Sequence, residues 1–367
     1  MVSSLIVFLN AQQVLILSFC VMVLGIVMLA FWFWLYRVCC PASSARRVRV
    51  EVDRDAGGQQ VTVLHREPWP GIQEAGKLTV TPLPAIETEE LPCIGISTGI
   101  FYDRDIFYCL PLIKEAGFRF VEVWASPQKN GDYVHFDWHK DSQVQMLAAC
   151  LRTLGLKVSS LHAPFSDALN ISDPDEVRRK AAVLETLRTA DVLKFLGGEF
   201  LVVHPASNDN WHPDRNSRFA QSRKSLEEIA RYVRDWGLKL AVENQLPHIL
   251  GGDAQTLRAL VEGLPPDSVG FCFDTSHANL YPGQKLENTF KQMADRIMTL
   301  HVSDNYGERD DHFALGDGRI DWNSFAGALR SSNYNGVFML EVSRDSLQHG
   351  QLATLDSVYR RAMQFLN

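Results

Sequence analysis

The chain has 367 residues, with 36 Lys+Arg against 43 Asp+Glu (net −7), and is 46% apolar and 22% charged. These are values of a globular protein, and they exclude a disordered, collagen-like or small disulfide-stapled chain. The acidic balance supplies no global positive field to collect phosphates, which disfavours a nucleic-acid binder.

Residues 14–35, VLILSFCVMVLGIVMLAFWFWL, carry no charge and are long enough to cross a hydrocarbon core of roughly 30 Å as a helix. Trp32, Trp34 and Tyr36 close the run, where aromatic rings favour the headgroup region. The run exceeds the ~7–15-residue apolar core of a cleaved signal peptide, and no Lys or Arg precedes it. Arg37, Arg46, Arg47 and Arg49 follow, so the positive-inside bias leaves the bulk of the chain in the cytoplasm. Residues 1–37 therefore read as an N-terminal anchor with one transmembrane helix, in a single-pass membrane protein. The seven cysteines include no CxxC pair and suggest no disulfide framework; Cys39 and Cys40, at the membrane edge, are either S-palmitoylated or unmodified. Residues 38–92 mix charge, valine and proline and read as a juxtamembrane tether with one weak hairpin around Gly57-Gly58.

Residues 93–367 approach the ~250 residues typical of a (β/α)8 TIM barrel. Eight short apolar, β-branched runs recur at 93–98, 118–124, 157–162, 199–204, 238–244, 268–274, 297–302 and 336–342, each followed by a helix-like stretch. Gly155, Gly197 and Gly237 end three of those stretches, as helix-terminating glycines do. The repeated β-then-α order predicts an α/β fold with a closed parallel barrel. The alternative, a doubly wound open sheet, lacks a GxGxxG or Walker sequence at its first strand–helix turn.

A buried parallel strand should be continuously apolar, yet these end in Glu122, His162, His204, Glu243, Asp274, His301 and Glu341. In a barrel such ends converge on the one mouth where active sites sit. Seven ionisable groups gathered there repel or desolvate one another unless a divalent cation neutralises them. Glu122 is placed to bind a substrate hydroxyl or an adjacent histidine. Tyr102 and Trp124 can form an apolar wall for a bound ligand or pack in the core. Asp304 is expected either to meet substrate or to orient His301. His135, His139, His212 and His248 lie in loop-like stretches and read as surface residues. Arg215 and Arg218, in the loop after the fourth strand, either hold an anionic group of a ligand such as a phosphate or are solvated, and the solvated reading is favoured.

The segments HAPF (162–165), HPA (204–206), ENQ (243–245), DTSH (274–277), HVSDN (301–305), DDHFALGDGRIDW (310–322) and EVS (341–343) together resemble the signature motifs of the xylose isomerase-like TIM barrels. That superfamily includes sugar isomerases and epimerases and endonuclease IV. The resemblance covers about 93–367 and implies two site assignments. In the isomerase and epimerase branch, Glu243, Asp274, His301 and Glu341 match four ligands to one divalent metal, and Glu243 and Glu341 match the catalytic acid/base pair. The oxygen-rich set suits Mn²⁺, Mg²⁺ or Co²⁺, and catalysis runs through a metal-stabilised enediolate. In the endonuclease IV branch, His162, His204, His277, Asp310 and His312 match additional ligands of a multinuclear zinc site suited to phosphodiester hydrolysis. In the sugar branch the same residues contact substrate or line the pocket, and ALGDGRIDW looks more like that branch.

The leading expectation is thus a membrane-anchored, divalent-metal-dependent isomerase or epimerase of a sugar, sugar phosphate or polyol. The alternatives are an endonuclease IV-like zinc phosphoesterase and a non-catalytic ligand-binding barrel. Oligomeric state leaves no mark in the sequence.

Overall fold

The structure is a computed structural model that describes residues 49–54, 60–65, 93–125, 133–207, 215–344 and 354–366. The expected membrane span at 14–35 lies outside the described residues. Among the described residues, no helix is long and apolar enough to cross a membrane.

Within the expected tether, strands β1 (Arg49–Arg54) and β2 (Gln60–His65) pair antiparallel, Arg49 opposite His65 and Arg54 opposite Gln60. This is the hairpin anticipated around Gly57-Gly58. It belongs to the first of two units, Met1–Glu87; the second is Thr88–Asn367.

The second unit is a barrel. Its strands are β3 (Ile94–Ser97), β4 (Phe120–Trp124), β5 (Lys157–His162), β6 (Phe200–Val203), β7 (Lys239–Glu243), β8 (Val269–Asp274), β9 (Ile297–His301) and β10 (Phe338–Leu340). They pair in parallel in the order β10-β3-β4-β5-β6-β7-β8-β9. A bridge between Val302 and Leu340 closes the ring, with the Val302 N–H donating to Met339 O (2.9 Å) and the Glu341 N–H to Val302 O (3.1 Å). An open doubly wound sheet is thereby excluded. All eight predicted runs are strands of this barrel.

Local chemistry sets the boundaries. Gly197 takes the left-handed conformation (φ 77°) after helix Glu176–Leu196, and the Gly198 N–H donates to Leu193 O at 3.1 Å. That is a Schellman ending, which a Cβ at Gly197 would strain. Gly155 and Gly237 end their helices in the same way. Aspartates start several helices: the Asp175 carboxylate accepts from the N–H groups of Val177 and Arg178 (2.9 and 3.0 Å), satisfying donors that the first turn leaves unpaired. Arg215 and Arg218 lie in the first turns of helix Arg215–Asp235 rather than in a loop; the helix begins earlier than its apolar periodicity indicates.

Two apolar layers hold the barrel. Outward-facing strand residues pack under the helices, as where Phe273 meets Phe290 edge-on (5.2 Å) and Phe338 stacks on Phe365 (5.2 Å). A smaller cluster of Val202, Ala241, Cys272 and Met298 fills the interior beneath the mouth. Arg179, with a fully buried side chain, clamps helix Glu176–Leu196 to helix Arg215–Asp235. It donates to Glu176, Glu228 and Ser225, at 2.9, 2.9 and 2.8 Å. Arg179→Ala removes the buried cation and its charge-assisted hydrogen bonds but leaves the partly exposed carboxylates of Glu176 and Glu228 to water, so thermal unfolding should report a loss of about 1.5–3 kcal/mol; a change below about 1 kcal/mol would show the clamp to be dispensable.

Candidate metal centre and active site

The ionisable residues at the strand ends form a connected set at the C-terminal mouth. One group comprises Glu243, Asp274, His301 and Glu341, whose ligand atoms all lie within 4.8 Å of one another. A second comprises His277, Asp310 and His312, and a third His162, Glu243 and His301, under the same limit. His204 joins through Nε2, 3.0 Å from Glu243 Oε2. Every sequence-predicted ligand is therefore in this cluster.

Strand register brings them together. Parallel pairing sets Glu243 beside Cys272 and Asp274 beside His301. The second match depends on a bulge: Phe271 pairs with Ile297 but Cys272 with Thr299, which skips Met298. Without the skipped residue His301 would point away from the mouth, because side chains alternate faces along a strand.

Most imidazoles are braced on one nitrogen and face a carboxylate with the other. His162 Nδ1 lies 2.8 Å from Ala163 O, and its Nε2 is 3.1 Å from Glu243 Oε2. His277 Nδ1 donates to Asn244 O (2.8 Å), with Nε2 3.3 Å from Asp310 Oδ2. His312 Nδ1 lies 2.9 Å from Glu341 O, with Nε2 3.1 Å from Asp310 Oδ1. His301 Nδ1 is 3.1 Å from both Glu243 Oε1 and Glu341 Oε2, while its Nε2 is 3.0 Å from Glu122 Oε2. Such bracing fixes which nitrogen offers a lone pair. His312 reaches its place with φ 49°, the one positive φ outside glycine among the described residues.

The electrostatics call for positive charge. Burial pushes Asp274 up to about 7, with further repulsion from Glu243 and Glu341. Glu243 is held well below the ordinary carboxylate range because His301, His204 and His162 outweigh its burial. Glu341 is held down to about 2, where His301 outweighs burial. His312 is buried, yet Asp310 holds it up at about 10. Asp274 Oδ2 is a buried oxygen without a hydrogen-bond partner, and Glu341 Oε2 faces His301 Nδ1 at 3.1 Å. Three carboxylates, one of them with an orphaned oxygen, and one imidazole fit a hard divalent cation.

The geometry corrects both roles expected of Asp304, and for Glu122 it selects the adjacent histidine over a substrate hydroxyl. Asp304 is wholly buried. Its carboxylate accepts from the N–H groups of Asn305, Gly316 and Ile320 and from Trp322 Nε1, at 2.9, 3.0, 3.1 and 2.8 Å. A Cβ on Gly318 would come within 2.3 Å of Asp304 Oδ1, so GDGRIDW is the wrapping of a loop around one carboxylate. Glu122 is also wholly buried and meets His301 and Ser160 rather than the cleft. His135 is no surface residue: its Nε2 lies 3.0 Å from Thr98 Oγ1, which accepts from the Trp124 N–H at 3.0 Å. His139 sits between Asp137 and Glu185, His248 is exposed, and His212 lies outside the described residues.

Trp124 does face the mouth. A cleft of about 470 Å³ is lined by Tyr102, Trp124, Phe165, His312, Glu341 and Arg344, among others. Rings run along one wall, from Tyr102 to Trp124 (6.1 Å) to Phe165 (6.4 Å), and Phe165 stacks on His204 at 3.8 Å. Phe165 was visible only as part of the HAPF segment; Ser160 and Asn244 give no sequence signal of their own. A larger cavity, about 760 Å³, opens at the opposite end, by Phe120, Lys157 and Lys239, and touches none of these groups.

A parallel eight-stranded barrel with carboxylates and imidazoles at its C-terminal mouth is the architecture of a TIM-barrel enzyme. The family model described as xylose isomerase-like TIM barrel matches residues 110–367, and the chain belongs to that family. Its relatives include the ketose 3-epimerase of Arthrobacter globiformis, 26% identical over 74% of this chain and 89% of that one. They also include a Mycobacterium marinum protein named "Probable endonuclease 4", 26% identical over 51% of this chain and 73% of that one. The crystal structure of a D-tagatose 3-epimerase-like protein superposes with a TM-score of 0.63 at 21% identity, over 75% of this chain and 98% of that one, a likeness of fold.

Proposed function

We propose that the barrel is a divalent-metal-dependent isomerase or epimerase of a sugar or sugar-like polyol. The observation that carries this is the Glu243–Asp274–His301–Glu341 group, with an unpartnered Asp274 carboxylate oxygen, beside a ring-walled cleft. The similarity to a ketose 3-epimerase supports the same chemistry. When bound, a divalent ion supplies charge stabilisation to a substrate oxygen. Glu341, whose side chain is 18% exposed, lines the cleft, and Glu243, 1% exposed, lies deeper among the imidazoles. One of the two takes a proton from the carbon beside a carbonyl, and the other returns it on the opposite face, or at the neighbouring carbon as the adjacent hydroxyl passes its proton to the former carbonyl oxygen. The ring wall from Tyr102 to Phe165 stacks against the apolar face of the sugar.

The uncharged run at 14–35 and the arginines after it support a single-pass membrane protein with a cytoplasmic barrel. Resistance to alkaline extraction, with the barrel protected from added protease in right-side-out vesicles and cleaved in inside-out ones, tests that placement; the reverse pattern overturns it.

A second reading, a multinuclear phosphoesterase, is favoured by the His277–Asp310–His312 group and by the endonuclease 4 relative. Metal content of the full chain separates the two. About one Mn, Co or Mg per chain, with substrate hydrogen exchange in D₂O across a panel of ketoses, supports the isomerase. Two or three Zn per chain, reduced by the Asp310→Ala/His312→Ala double substitution, supports the phosphoesterase. No metal after reconstitution sinks both.

A further inference from the structure

We propose that Glu122, one layer below the mouth, is the positioning residue that fixes His301 with Nδ1 toward the four-group site, and that Ser160 and a strand bulge hold Glu122 for that task. The proposal rests on the metal-dependent reading of the site.

His162, His277 and His312 brace against backbone carbonyls, of Ala163, Asn244 and Glu341. His301 is the imidazole braced by a carboxylate: its Nε2–H donates to Glu122 Oε2 at 3.0 Å. An imidazole binds a cation through one lone pair, so the acceptor at the other nitrogen decides which lone pair is offered. A carboxylate there also makes the ligand nitrogen more basic than a carbonyl does. His301 is the only imidazole of the Glu243–Asp274–His301–Glu341 group, so the strongest brace falls on the ligand where it counts most.

Glu122 is itself placed by register. Val121 pairs with Val158, but Glu122 pairs with Ser160, so Ser159 is skipped. In an unbroken register Ser159 would stand opposite Glu122, and Ser160 would face the other side of the sheet. The skip brings Ser160 Oγ to 2.8 Å from Glu122 Oε2, where it donates to the same oxygen that receives His301. Glu122 Oε1 is buried with no hydrogen-bond partner. Beyond the Ser160 hydroxyl that holds it, the carboxylate meets only the imidazole, a costly use of a buried carboxylate if packing were its purpose.

The test compares Mn²⁺ affinity of the full chain in detergent with that of Glu122→Ala, Glu122→Gln and Ser160→Ala, alongside ¹⁵N-histidine spectra of the Zn²⁺-loaded proteins. Wild type should show His301 protonated at Nε2 and metal-bound at Nδ1. Glu122→Ala should weaken Mn²⁺ binding about 10–100-fold and lose that single tautomer pattern. Glu122→Gln, which keeps an acceptor without the charge, and Ser160→Ala, which frees the carboxylate, should each weaken it by up to about 10-fold. If Glu122→Ala does not fold, those two decide. Wild-type affinity and an unchanged His301 pattern in both would overturn the proposal, as would metal at Nε2. A wild-type chain that binds no divalent ion overturns this proposal together with the function it rests on, whereas tight wild-type binding with insensitive variants overturns this proposal alone.

Discussion

Glu341→Gln should lower substrate hydrogen exchange by about 10²–10⁴-fold, the usual contribution of a positioned acid or base. Glu341 is the ligand-group carboxylate that lines the cleft, and its N–H is held in the barrel ladder by Val302 O. The substitution is nearly isosteric and keeps an oxygen for a cation, so metal content measured at saturating Mn²⁺ should fall much less than exchange. Loss of exchange in proportion to loss of metal would assign Glu341 to ligation alone. Unchanged exchange with full metal would remove it from the chemistry. Glu243→Gln is the less clean experiment, because Glu243 also meets His162, His204 and His301 and its removal unsettles all three.

Asp274→Asn should reverse the sign of its effect on stability with the presence of metal. Asp274 is a fully buried carboxylate pushed up to about 7 by burial, with one oxygen unpartnered. A raised value means its ionisation opposes folding: the folded form keeps its advantage below the ordinary carboxylate range and loses it as pH rises through about 7. At pH 8 in chelator, Asp274→Asn should therefore unfold at higher temperature than wild type, and the gain should disappear toward pH 4. Asparagine also keeps the helix cap, in which an Asp274 carboxylate oxygen accepts from the His277 N–H at 2.7 Å. With metal at ~1,000 times its Kd, wild type gains about 4 kcal/mol that the weakened variant forgoes, so the order of stabilities should invert. Differential scanning calorimetry at both pH values, with and without Mn²⁺, reads all four cases. A variant less stable than wild type in chelator at pH 8 would show that Asp274 is held by something other than a cation.

The barrel was legible because its strands are buried on both faces. Each therefore reads as a continuous apolar run, and an ionisable residue stands out where the run meets the mouth: Glu243, Asp274 and His301 each end a strand. The terminal glycines were legible because a left-handed helix end tolerates little else. Partners of buried polar groups were not legible. Asp304 and Glu122 carry the same chemistry as the ligands, and each lies close to a strand end, Glu122 within Phe120–Trp124 and Asp304 just past Ile297–His301. The loop 316–322 closes over Asp304, and the His301 ring lies against Glu122; both facts depend on three-dimensional approach. His135 looked solvent-facing because it lies in a loop-like stretch, yet it is buried beside Thr98.

The sequence by itself determined the barrel, the eight strand ends and the set of ligand-type side chains, since burial pattern and residue chemistry are local and periodic. Only the tertiary structure decided which of those side chains meet. Skipping Met298 sets His301 beside Asp274, and skipping Ser159 sets Ser160 beside Glu122. A one-residue slip in register turns a side chain to the opposite face of the sheet, and that slip is settled by packing between strands, which no single stretch of sequence records.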